Sequence, residues 1–197
     1  DAGYDSVLID LSKELYEKNL EITKSVVEYA REINPEISVE GELGYLVTDS
    51  SKIYKEKIEI PPESLTKPEE ALKFVNETGV DRFAPAVGNL HGIAANEPKL
   101  DFELIKKIRA VLPSEVAMVL HGGSGIPDDQ MREAVKLGFN NVHISTEIRV
   151  VYVDALRKML AVAPDETTPY KIYKPVVEAV SAKVLEKLEI FGSVNKV

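Results

Sequence analysis

The stretch Val116-Ala117-Met118-Val119-Leu120-His121-Gly122-Gly123-Ser124-Gly125-Ile126-Pro127-Asp128-Asp129 decides the architecture. Val116 to Leu120 is an unbroken apolar run, the pattern of a parallel strand buried on both faces rather than of a strand with one wet face. It ends on His121. A glycine-rich loop then enters a helix predicted over Pro127 to Leu137, with Pro127 at the first helical position and Gly138 at the stop. This is one βα unit that carries polar chemistry at the carboxyl end of its strand.

The unit recurs along the chain. Further strands are predicted at Ser6 to Asp10, Ile37 to Leu43, Phe83 to Val87 and Val142 to Ser145. The helix after the first strand shows Leu15, Ile22, Val26 and Ala30 as an apolar stripe. Pro68-Glu69-Glu70 opens another helix that ends near Gly79, and Phe102 to Leu112 forms the next. Two helices close the chain, the last with Tyr173, Val177, Val180, Val184, Leu188 and Phe191 on one face. The polar stretch after Gly44, with Pro61-Pro62 inside it, reads as a long lid-like loop in which Asp49, Glu56 and Glu59 are acid/base candidates. Five such units suit an open doubly wound sheet or part of a barrel. Polar residues follow the strands one after another: Glu42, Asn89 and His91, His121, then His143 to Thr146. That distribution favours a barrel, whose loops converge on one site, over an open sheet with one switch point. The expected fold is therefore α/β, a TIM (β/α)₈ barrel incomplete in this chain, with about five βα units present and the first three missing, and residues 1–197 forming a single domain.

The chain has 197 residues and a formal net charge of −9, with 24 Lys plus Arg against 33 Asp plus Glu. So acidic a surface argues against nucleic acid and anionic membranes as partners. No apolar run is long enough to span a bilayer. There is no Cys, which removes disulfides, thiol nucleophiles and Cys-based zinc sites and fits a reducing, cytoplasmic compartment. Residue 1 is Asp and the first Met is Met118, so the chain is expected to be processed or a piece of something longer.

The three histidines carry most of the chemistry. His91 stands between glycines in Gly88-Asn89-Leu90-His91-Gly92, and His121 opens the glycine loop. Two strand-end histidines without cysteine fit a divalent metal held by N and O ligands, most often zinc, with His143 or Glu42 as in-chain candidates for a third ligand. The loop N–H groups, the Ser124 hydroxyl and a helix start make an anion site suited to phosphate. His143 alternates with Val142 and Ile144, so it shares a side with Ser145, a pattern that also suits a histidine satisfied in the core. Glu40 and Glu42 face the same side of their strand.

Several stretches together, VGNLHGIAANEPKLDF from Val87, then VLHGGSGIPDD, NVHISTEI, the opening DAGYDSVLID, VEGELG, and the closing Tyr173-Lys174-Pro175 with Phe191-Gly192-Ser193, resemble the class II, metal-dependent ketose-bisphosphate aldolases. The likeness runs over essentially the whole chain. It implies the (β/α)₈ fold, with this chain its C-terminal five units, and reversible aldol cleavage of a ketose bisphosphate such as fructose 1,6-bisphosphate to dihydroxyacetone phosphate and glyceraldehyde 3-phosphate. Zn²⁺ would act as the Lewis acid. By resemblance His91 and His121 match zinc ligands, Glu42 and His143 take catalytic positions near the metal, and Gly92, Gly122, Gly123, Ser124, Ser145 and Thr146 form the substrate phosphate site. Carbonyls near Gly88 and Gly122 match a monovalent cation site for Na⁺ or K⁺. The partner implied is a small phosphosugar, with a homodimer or homotetramer at full length. The chain departs from the pattern at His143, where the family has a substrate-contacting Asn, and at Ala95, where many members have a phosphate-binding Lys. The Asp-His pair supplying the catalytic Asp and another zinc ligand is expected upstream of Asp1, so the 197 residues alone are expected to be inactive. A tagatose-1,6-bisphosphate aldolase and a non-catalytic phosphosugar-binding barrel fragment remain open alternatives.

Overall fold

The computed structural model describes residues 3–196. Five parallel strands, β1 (Ser6–Ile9), β2 (Ser38–Leu43), β3 (Arg82–Pro85), β4 (Ala117–Leu120) and β5 (Phe139–Val142), form one open sheet in the order β1-β2-β3-β4-β5. Between and after them come α1 (Tyr16–Ile33), α2 (Pro68–Thr78), α3 (Phe102–Val111), α4 (Asp128–Lys136), α5 (Thr146–Val162) and α6 (Pro169–Ile190). The strand order runs in chain order with no reversal, whereas a doubly wound sheet requires a switch point. Successive helices α1 to α4 touch one another in turn, which places them along one face. All strand carboxyl ends therefore open on the same rim.

The core lies between the sheet and these helices. Phe74, Phe83, Ile105, Ile108, Met118, Leu120 and Met131 are fully buried there. Gly41 of β2 lets α2 approach closely, since a Cβ on it would meet the Phe74 ring at 3.0 Å. Leu43 O accepts the Thr66 hydroxyl, and Thr66 Oγ1 accepts the N–H of Ala86, so the end of the long loop is pinned across β2 and β3.

Several expectations are corrected. The buried stripe of α1 is Asn19, Thr23, Val27 and Ala30, while Leu15 is an exposed N-cap. The helix turns a polar pair inward because Asn19 Nδ2 donates to Glu42 O and Thr23 donates to Asn19. Pro127 is the N-cap of α4 rather than its first residue. β5 is the run Phe139 to Val142, so His143 to Ser145 lie beyond the strand, in the turn into α5. Tyr173, Val177, Val184 and Leu188 of α6 are exposed, because α6 packs chiefly on α5 and buries Val176, Lys187 and Ile190 instead. Among the described residues no helix is long and apolar enough to cross a membrane.

Candidate active site

At the carboxyl rim of the sheet, Leu8, Asp10, Glu42, Ser50, His91, Gly92, His121, Gly122, Ser124, His143, Ser145 and Thr146 line a cleft of about 260 Å³. Every strand contributes to it or is followed by a loop that does. His121, buried at the end of β4, is the centre. Its Nε2 lies 2.8 Å from Glu40 Oε1 and its Nδ1 lies 2.9 Å from Glu42 Oε1. Both acids come from β2, two residues apart, and so project from the same face to bracket the ring. Asn89 fixes the backbone here: its Nδ2 donates to His121 O and its Oδ1 accepts from Val87 N–H, both at 2.8 Å.

A ring with a carboxylate on each nitrogen can satisfy both only as imidazolium, donating twice. Burial disfavours that charge, but the hydrogen bonds to Glu40 and Glu42 outweigh it and push the pKa of His121 up to about 9. The flanking histidines go the other way. Burial and the positive charge of His121 lower the pKa of both His91 and His143. His143 stacks on His121 with ring centroids 4.5 Å apart, and the His91 ring centroid lies 6.4 Å from that of His121.

The residues expected to bind phosphate divide into two groups. Gly92, Gly122, Ser124, Ser145 and Thr146 line the cleft. Gly122 has φ +62°, and a Cβ there would collide with the Leu90 carbonyl, so only glycine allows these two loops to touch. Gly123 faces away, its N–H donating to His143 O at 3.1 Å. Ser124 Oγ accepts the N–H of Glu147, and Gly125 N–H donates to Glu147 Oε1. The helix start that opens on the cleft is that of α5, through Ser145 and Thr146; α4, which follows the glycine loop in sequence, lies outside the lining. Asp49, Glu56 and Glu59 also lie outside it; Asp49 pairs with Lys52 on the surface. Ser50 is what the long loop contributes.

Sequence reasoning did not single out Asp10, although its place directly after β1 is the same signal that marked the other residues. Nor did it find the support behind the glycine loop, where buried Lys187 of α6 pairs with Glu147 at 2.7 Å. Nothing in the local pattern marks Lys187, because its partner is forty residues away in sequence.

The donor set suits a borderline divalent cation: imidazole nitrogens and carboxylate oxygens, with no thiolate. Among the described residues one group of three has its ligating atoms within 4.8 Å of one another, namely Glu40, His121 and His143.

Comparisons with known proteins bear on the family and the fold. The family model for class-II fructose-bisphosphate aldolase matches residues 1–196. The fructose-bisphosphate aldolase of Geobacillus stearothermophilus is 38% identical over 196 residues, which are 100% of this chain and 65% of that protein. The crystal structure of the YdjI aldolase from Escherichia coli K12 superposes with a TM-score of 0.78 at 33% identity, covering 98% of this chain and 63% of that one. A fructose-bisphosphate aldolase from Campylobacter jejuni shares the fold, with a TM-score of 0.73 at 22% identity over 98% of this chain and 61% of its own. The chain thus spans slightly under two thirds of the length of these relatives, and it belongs to the class-II fructose-bisphosphate aldolase family.

Proposed function

We propose that the protein carrying this chain catalyses metal-dependent aldol cleavage and condensation of a ketose bisphosphate, with fructose 1,6-bisphosphate as substrate. The observation that carries the reading is the convergence of three histidines and Glu42 on one cleft that also receives the N-terminus of α5. A divalent metal, Zn²⁺ by family pattern, would supply Lewis-acid polarisation of a carbonyl oxygen when bound. The ligands from this chain would be His91 and His121, which both line this cleft, with a further histidine supplied from outside the chain.

The other steps belong to the chain's own groups. The first-turn N–H groups of α5 and the hydroxyls of Ser145 and Thr146 offer donors to a phosphate dianion, in the half-positive field of a helix start. Gly92 and Gly122 let backbone approach the ligand without a side chain in between. Glu42 Oε1 holds the proton on His121 Nδ1, and Glu42 and His143 are the chain's candidates to take or return a proton at substrate hydroxyls. Glu40 and Arg82 fix His121 from below.

The consecutive strand order and the one-sided helices support a place for this sheet as five units of a (β/α)₈ barrel, with three further units supplied from outside the chain. The same reading includes a monovalent cation near the Gly88 and Gly122 carbonyls, a homo-oligomer and a cytoplasmic setting.

The test is product formation by the purified protein that carries the chain. Fructose 1,6-bisphosphate should yield dihydroxyacetone phosphate and glyceraldehyde 3-phosphate, chelator should stop the reaction, and His121→Ala should lose bound zinc and turnover together. Cleavage of tagatose 1,6-bisphosphate in preference would reassign the substrate. Phosphosugar binding with no turnover would refute the catalytic reading.

A further inference from the structure

We propose that Lys187 and Glu147 are positioning residues for phosphate: Glu147 ties the glycine loop to the start of α5, and Lys187, reaching in from α6, cancels the charge of that carboxylate so that the rim accepts a phosphate dianion. This role rests on the phosphosugar reading above and deepens it, by naming groups outside the cleft that set its affinity for phosphate. Neither residue lines the cleft, and both act through Ser124, Gly125 and Thr146.

Three consecutive residues of the glycine loop bond to the segment that leads into α5. Gly123 N–H donates to His143 O at 3.1 Å, Ser124 Oγ accepts the Glu147 N–H at 3.2 Å, and Gly125 N–H donates to Glu147 Oε1 at 2.7 Å. Loop and helix start thus form one unit, which Glu147 grips by both its backbone and its side chain. Ser124 Oγ accepts in that unit and donates to nothing among the described residues, so its O–H is left for a ligand in the cleft that Ser124 lines. The grip carries an electrostatic penalty. A carboxylate on the second residue of α5, next to Thr146 in the lining, answers the helix's positive end with a negative charge of its own and repels an incoming anion. Lys187 removes that penalty. Its Nζ lies 2.7 Å from Glu147 Oε2, so neither carboxylate oxygen is unpaired, and 3.9 Å from Asp128 Oδ1 at the start of α4. The Lys187 side chain is 9% exposed and that of Glu147 16%, whereas Asp128 is half exposed, so solvent screens the lysine–glutamate pair least. A lysine is almost never buried this far without a partner, and here the partner belongs to the unit that meets the ligand.

Binding of inorganic phosphate to the purified protein that carries this chain, read by ³¹P line broadening, tests this alongside cleavage kinetics. Lys187→Met leaves the Glu147 carboxylate unpaired and should raise the Kd for phosphate roughly tenfold or more, the scale of one charge-assisted contact. Lys187→Arg keeps the charge and should restore most of the affinity. Glu147→Gln leaves Gly125 N–H an acceptor and takes away the repelling charge, so phosphate should bind at least as tightly as to the parent. Added to Lys187→Met, it should bring the Kd back toward the parent's. Both single variants break the same ion pair, so a merely structural role would weaken phosphate binding in both, whereas the electrostatic role separates them. With fructose 1,6-bisphosphate, the loss in Lys187→Met should fall on KM more than on kcat. Circular dichroism checks that each variant is folded, and should Lys187→Met fail to fold, weaker phosphate binding by Glu147→Gln alone overturns the inference. Lys187→Met binding phosphate as tightly as the parent, or Glu147→Gln weakening it as much as Lys187→Met does, would likewise overturn it while leaving the aldolase reading intact. The expected separation of the two variants in a protein without aldol cleavage would uphold the positioning role and refute the function. No phosphate binding by the parent would refute both.

Discussion

His121 makes the metal-free protein's stability depend on pH in a way the structure quantifies. The imidazolium is favoured by Glu40 at 2.8 Å and Glu42 at 2.9 Å, and its pKa stands at about 9 against an ordinary 6.5. At roughly 1.4 kcal/mol per pH unit, that difference corresponds to about 3 kcal/mol of folding stability. Because the folded-state pKa is the higher one, the contribution is complete below pH 6.5 and is lost as pH rises through about 9. Glu42→Gln keeps an acceptor for Nδ1–H but removes a negative charge, so the pKa falls back toward 6.5 and the loss shrinks by about 1 kcal/mol or more. Urea unfolding of chelator-treated protein at pH 6, 7.5 and 9.5 measures this, with the parent and E42Q compared at each pH so that other titrating groups cancel. Equal pH slopes for the two proteins, or a parent more stable at pH 9.5 than at pH 6, would refute the bracketed imidazolium.

Other expectations follow from buried contacts. Gly122→Ala combines a left-handed φ of +62° with a collision against the Leu90 carbonyl, and should cost about 2–4 kcal/mol in chemical denaturation. Asn89→Ala leaves the Val87 N–H and the His121 carbonyl without their partners, about 3 kcal/mol by the same measurement; a loss under 1 kcal/mol would mean that water replaces both. Lys187→Met strands the Glu147 carboxylate behind the glycine loop, about 3 kcal/mol, and adding Glu147→Gln should recover most of it while Gly125 N–H keeps an acceptor. A double variant no more stable than the single one would show that Glu147 needs its charge for the loop.

How much of this was legible in the chain depends on range. The apolar run ending in His121 and the glycine loop after it identify a βα unit from neighbours alone, and all five strands and all six helices lie close to where hydrophobic patterning puts them. Element edges were harder to read. Val142 to Ser145 reads as strand, yet β5 sits at Phe139–Val142, because its register is set by pairing with β4 across a bulge at Met118/Val119. Four of the six residues of the apolar stripe read on α6, Tyr173, Val177, Val184 and Leu188, are exposed, since a period of three to four marks a face without saying what covers it.

Local chemistry thus identifies the family motifs, the strand-end histidines and the acidic pair on β2, because each is a property of a few consecutive residues. Only the folded sheet decides that Glu40 and Glu42 close on His121 from opposite sides, that His143 stacks on it, and that α5 rather than α4 presents its N-terminus to the cleft. Those facts depend on strand register and on which loops converge at one rim, and contacts across some twenty to eighty residues leave no periodic trace in the sequence. The charge of His121 is likewise a tertiary property: an isolated histidine is mostly neutral at pH 7, and it is the two buried carboxylates that keep this one protonated.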